Sequence, residues 1–127
     1  MNKLNYIDQF ADDLAKAILI AKDKKLWYIL HYRKPVISDR QSASRLLGNH
    51  EKRRVRRTYL PNEIFVSTVF LCLDHQYGNG PPLLFETAIY RDGGFNVITR
   101  CSTWCEALKM HWAAVNQIKF SIPDHIL

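Results

Sequence analysis

A chain of 127 residues with 47% hydrophobic side chains has the size of one domain and enough apolar material for a core, which excludes a disordered chain. No run approaches the roughly 20 apolar residues a membrane helix needs, and acids at Asp8, Asp12 and Asp13 stand where a secretory signal avoids them, so a cytosolic protein with no membrane partner is expected. The net charge of +6 is unevenly spread: residues 22–58 hold twelve Lys or Arg against Asp23, Asp39 and Glu51, a balance of +9, while the remainder is −3.

The first predicted element is a helix over 1–23. Ile7, Phe10, Leu14, Ile18 and Ala21 recur at three- and four-residue steps, with Asp8, Asp12, Asp13 and Lys16 off that stripe. Trp27 to Tyr32 is aromatic and β-branched enough for a strand, and Arg33, Lys34 and Pro35 read as a turn into a short partner at Val36 and Ile37. Ser38 and Gln41 have capping-box spacing, which predicts a short helix through Ala43, Leu46 and Leu47 that stops at Gly48 in a left-handed conformation.

Lys52 to Arg57 reads K-R-R-V-R-R and leads into Thr58, Tyr59 and Leu60. As a regular strand it would place Arg54 and Arg56 on one face and Val55, Arg57 and Tyr59 on the other. Pro61 and Asn62 break the chain before Glu63 to Leu73, the most apolar run and a predicted central strand. Gln76 to Pro82 is a loop by composition, made rigid by tandem prolines and permissive glycines. Leu83 to Tyr90 and Phe95 to Cys101 are strands around a turn at Asp92-Gly93-Gly94. Thr103 and Glu106 then open a helix with Trp104, Ala107, Leu108, His111, Ala114, Val115 and Ile118 on one side, and the tail 121–127 is expected to be irregular. Short connections make a meander the economical topology. The expected fold is α+β: an antiparallel sheet of three or more strands with two or three helices packed on it, in a single domain 1–127 whose core spans 28–118.

One stretch carries a resemblance. Val66-Ser67-Thr68-Val69-Phe70-Leu71, Leu73-Asp74-His75, Gly80-Pro81-Pro82 and Leu84-Phe85-Glu86-Thr87, followed by Ser102-Thr103-Trp104, Glu106-Ala107 and His111, is similar to the signature of a family of small uncharacterised proteins encoded by bacteriophages and prophages. The resemblance covers about Tyr28 to Val115 and implies a phage-related origin and a bacterial host cytoplasm, with no activity attached. Cys72 departs from it where a small residue, usually glycine, is common. Cys101 replaces an aromatic, and Met110 a small residue before the histidine.

Two sets of residues could carry function. Lys52, Arg53, Arg54, Arg56 and Arg57, with Tyr59 beside them and Arg33, Lys34, Arg40 and Arg45 earlier, could form one basic surface. Guanidinium forks suit phosphate oxygens, and an aromatic neighbour can stack on a base. The partner would be an acidic host protein, a nucleic acid or a nucleoprotein complex, and the role anti-defence or inhibition of nucleic-acid processing, with general DNA or RNA binding as an alternative. The alternative in another class is a metal-dependent enzyme or nuclease built on Asp74, His75, Glu86 and His111, since imidazoles with carboxylates hold zinc or manganese. Against it, His111 could bond Glu86 or a backbone carbonyl inside the core while Asp74 and His75 steady the loop. No motif implies a cofactor, and an odd cysteine count (Cys72, Cys101, Cys105) argues against a disulfide scaffold.

Overall fold

The structure, a computed structural model, describes residues 26–121. The helix predicted over 1–23 and the tail beyond Ser121 lie outside the described residues. The chain begins with a two-stranded hairpin, β1 (Trp27–His31) and β2 (Lys34–Ser38), paired antiparallel with His31 opposite Lys34. The turn is therefore Tyr32-Arg33, one residue earlier than its charges led us to expect, and Pro35 sits inside β2 opposite Leu30. A proline is tolerated there because β2 is an edge strand, so a missing N–H breaks no ladder.

Helix α1 (Arg40–Leu47) follows. Its cap is Asp39, not Ser38: one carboxylate oxygen accepts the Ser42 N–H at 2.7 Å and the other accepts the Ser42 hydroxyl at 2.9 Å. A carboxylate satisfies the open helix start and its dipole together, which outcompetes a hydroxyl. Gly48 ends α1 in the right-handed region (φ −76°), so its left-handed freedom is unused. A further single turn, α2 (His50–Arg53), is capped by Asn49 and takes the first two residues of the basic run out of the predicted strand.

Four strands then form a meander in sequence order: β3 (Arg54–Leu60), β4 (Ile64–Phe70), β5 (Phe85–Arg91) and β6 (Gly94–Cys101). Helix α3 (Trp104–Ser121) lies along one face of all four. Its start is the predicted capping box: the Thr103 N–H and hydroxyl both donate to the Glu106 carboxylate, and the Glu106 N–H donates back to the Thr103 hydroxyl. With α3 packed on this meander and α1 and α2 beside it, the fold is the expected α+β arrangement.

The core lies between sheet and helices in two clusters. Val66 and Ile89 meet Ala114, Val115 and Ile118 beneath the second half of α3. Phe70, Cys72, Leu84 and Phe85 meet Ala43 and Ala107, with the hairpin's Trp27, Ile29 and Leu30 closing over them. Cys72 is fully buried and has φ +66°, a conformation that favours glycine. Burial pushes its thiol up to about 11.

Strand β3 is not regular. Arg54 pairs with Val69 and Arg56 with Thr68, so Val55 is the extra residue of a bulge. Directly opposed residues share a face, so the predicted alternation is corrected at its first two residues. Arg54 joins Arg57 and Tyr59 on one face, while Arg56 stands with Thr58 on the helix side and Val55 packs against the core.

Candidate nucleic-acid interface

The face of the sheet turned away from α3 has no described element lying along it. Register assembles three cross-strand rows there. The first is Tyr59, Phe65, Tyr90 and Phe95, one aromatic from each strand. Their ring centroids are 5.4, 4.4 and 5.5 Å apart in order, with Phe65 and Tyr90 stacked at an interplanar angle of 5°. The second row is Arg57, Ser67, Ala88 and Val97, and the third is Arg54, Val69, Glu86 and Arg100.

The two ends of the aromatic row are open to solvent, Tyr59 at 70% and Phe95 at 61% exposure. Turning such rings outward forfeits burial of order 1.5–3 kcal/mol for each large side chain, so an uninterrupted outward row is unusual for a lone surface. The Arg57 guanidinium lies 5.1 Å from the Phe65 ring centroid, a cation–π contact that extends the aromatic row into the positive one. The Nε atoms of Arg54 and Arg57 are sheltered without a hydrogen-bond partner among the described residues. Arg100 is bound to Glu86 at 3.0 Å, so part of its charge is neutralised.

The remaining basic residues do not join this face. Arg53 turns inward, where Nε donates to the Phe70 carbonyl at 2.9 Å and a terminal nitrogen donates to the Leu47 carbonyl at 3.1 Å. It ties the end of α1 to the end of β4. Arg56 lies over Trp112 of α3 at 5.1 Å. Arg33 and Lys34 belong to the hairpin, with Arg33 over Trp104 at 5.3 Å, and Arg40 lies over Trp27. Lys52 is exposed on α2. The predicted single patch is thus divided, with Arg54, Arg57 and Tyr59 kept together by β3. Phe65, Tyr90, Phe95 and Arg100 complete that face and were not singled out in the sequence.

Asp74, His75, Glu86 and His111 do not converge. Glu86 is on the uncovered face with Arg100, and His111 is fully buried beneath α3 on the other side. His111 bonds neither Glu86 nor a carbonyl: Nε2 meets the Thr58 hydroxyl and Nδ1 the Thr68 hydroxyl, each at 2.8 Å, and Thr68 in turn bonds Thr87. Burial, reinforced by Arg56, pulls its pKa down to about 4, which holds the ring neutral. His75 Nδ1 donates to the Leu73 carbonyl, and one Asp74 oxygen accepts the N–H groups of Gln76 and Leu83, clamping the ends of the loop. Among the described residues no group of three or more His, Cys, Asp or Glu stands close enough to hold a metal ion.

That loop owes its shape to close contact, not to glycine torsions. Gln76 folds back, accepting the Gly78 N–H, and a Cβ at Gly80 would stand 2.8 Å from Gln76 Nε2. Among the described residues no helix is long and apolar enough to cross a membrane. No family model, curated protein or solved structure matches the chain.

Proposed function

We propose that this is a non-enzymatic binding protein that takes an unpaired stretch of nucleic acid across the uncovered face of its four-stranded sheet. The observation that carries this reading is the four-ring row, one aromatic per strand, with Arg57 resting on Phe65 and Arg54 one row beyond. Bases unstacked from their own strand find flat partners in Tyr59 and Phe95, and the backbone phosphates find guanidinium groups alongside. Stacking tolerates any base, so affinity rather than sequence preference is the expected property. A double helix is a poorer fit, because its bases are already stacked on one another and offer the rings no free face.

The resemblance to phage and prophage proteins supports a wider role. In the cytoplasm of a bacterial host, such a protein would occupy the single strand exposed by a nucleic-acid-processing or defence complex and so impede it. An acidic host protein is the competing partner. It would engage Arg54 and Arg57 and bury the rings as an apolar patch, with no dependence on unpaired bases.

The test is fluorescence anisotropy with a labelled oligo-dT strand and with a duplex of equal length. The expected result is preference for the single strand and at least a tenfold loss in the double variant Tyr59→Ser with Phe95→Ser, both exposed positions where the fold is not at stake. With Arg54 and Arg57 as the free cations, the slope of log affinity against log salt should be about −1.4, since each contact on a single strand contributes about −0.7. Equal binding by the double variant removes the interface from consideration.

A further inference from the structure

A second site lies away from the uncovered sheet face and shares no residue with it. Where the β1–β2 turn approaches the start of α3, a cleft of about 470 Å³ opens, lined among others by Tyr28, Pro35, Pro82, Leu84 and Trp104, with Arg33 and Lys34 at its edge. This volume lies in the range of small-molecule sites, and an apolar wall with a few polar groups is their usual chemistry.

Three observations give the cleft a direction. The indole Nε1–H of Trp104 is shielded from solvent and has no hydrogen-bond acceptor among the described residues. Buried donors are almost always satisfied, so an exception on a residue of the cleft wall marks a donor that a small ring movement would offer to a bound acceptor. The Arg33 guanidinium lies over the Trp104 ring at 5.3 Å, which holds a positive charge against the aromatic wall. The turn that presents Arg33 is also unfavourable: Tyr32 (φ 49°) and Arg33 (φ 69°) both take left-handed conformations in a two-residue turn where Asn-Gly is preferred. Keeping two large side chains at such torsions works against stability, as happens where a side chain is needed for contact.

We propose that this cleft binds a small planar anion, an aromatic carboxylate in chemical class. Its rings would lie against Tyr28, Leu84 and Trp104, and its carboxylate would pair with Arg33 and Lys34. The Trp104 N–H, shielded in this structure, would meet an acceptor only after a shift of the indole ring. Tyr28, Tyr32, Ser102 and Thr103 add hydroxyl groups to the wall, but Arg33 and Lys34 are its two cations, so a polyphosphate would leave part of its charge unmatched. A neutral aromatic would leave the two cations without a partner.

The experiment uses 2-naphthoate as the probe and follows the three indole N–H signals of ¹⁵N-labelled full-length protein by NMR, assigned by the variants Trp27→Phe, Trp104→Phe and Trp112→Phe. The expected result is a shift of the Trp104 signal that saturates below millimolar probe while Trp112 stays still. The neutral analogue 2-naphthalenemethanol should bind at least tenfold more weakly. Arg33→Gly separates binding from folding, because glycine suits the left-handed turn position: its melting temperature should rise while affinity for 2-naphthoate falls about tenfold. An unmoved Trp104 signal, equal affinity for the neutral analogue, or undiminished affinity in a folded Arg33→Gly protein would each overturn the proposal. Phe95→Ser on the sheet face should leave naphthoate binding unchanged. If that variant abolishes it, the probe sits on the other surface and the cleft is not its site.

Discussion

Thr58 and His111 meet where β3 passes beneath α3, the threonine hydroxyl 2.8 Å from Nε2 of a ring with no exposed surface. The contact joins an edge strand to the helix through a polar bond inside an apolar layer, and Thr68 completes it from the adjacent strand. A neutral imidazole can donate from one nitrogen and accept at the other, which two hydroxyls satisfy from either side.

Stability should therefore fall in mild acid. His111 in the folded state has its pKa lowered to about 4, against about 6.5 for an unfolded histidine, so below pH 6.5 the unfolded chain takes up a proton that the native state refuses. The contribution is fully present above pH 6.5, declines as pH falls towards 4 and is constant below that, a loss of about 3 kcal/mol. Urea unfolding at pH 7.5 and 4.5 measures it, and His111→Gln, which keeps a donor and an acceptor but does not titrate, should flatten the dependence. A wild-type curve without this acid slope would contradict the neutral-ring assignment.

Cys72 should respond to substitution by shape rather than by hydrophobicity. At φ +66° a β-branched side chain is strongly disfavoured, so Cys72→Val is expected to destabilise by about 2–3 kcal/mol despite its apolar character. Cys72→Gly relieves about 1 kcal/mol of backbone strain while losing a comparable amount of packing, and should unfold within about 1 kcal/mol of the parent. Chemical denaturation of the two variants side by side decides the order.

Neighbouring arginines in the basic run should behave oppositely. Arg53→Ala leaves the Leu47 and Phe70 carbonyls without their charged donor and should cost about 2–3 kcal/mol of stability. Arg54→Ala should leave unfolding within about 1 kcal/mol of the parent and instead weaken oligonucleotide binding. Comparable unfolding midpoints for both variants would mean that Arg53 is not the clamp described above.

The loop between β4 and β5 should depend on Asp74. Its carboxylate oxygen receives the Gln76 N–H at 2.7 Å and the Leu83 N–H at 2.8 Å, bridging the two ends of the Gly-Pro segment. Asp74→Ala should lower stability by about 2 kcal/mol and open residues 77–82 to limited proteolysis, detectable as cleavage there before global unfolding. Protease resistance equal to the parent's would show that the prolines alone hold the loop.

Much of this architecture is legible in the chain itself, because its signals are local. The Thr103–Glu106 box fixes the start of α3, and Asp92-Gly93 fixes the hairpin that sets Tyr90 opposite Phe95. The two halves of the aromatic row are within reach by the same means, since a turn over residues 61–63 sets Tyr59 opposite Phe65. The basic run carries the stronger local signal, in its charge. Three features had no local signal. The bulge at Val55 reflects competition for the core between a valine and an arginine. The inward turn of Arg53 depends on two carbonyls, one of them 17 residues away. The partners of His111 come from two strands brought together only by the sheet, and Glu86, its nearest candidate by sequence reasoning, proves to be on the other side.

The single extra residue in β3 has a consequence for the charge that the sheet turns outward. It exchanges one valine and one guanidinium between inside and outside, so the electrical character of the sheet's outer surface is set by strand length as much as by composition. A relative with an identical arginine count and an unbulged strand would bury the wrong side chain or shed that cation to the helix side. Its outer surface would then be markedly less positive.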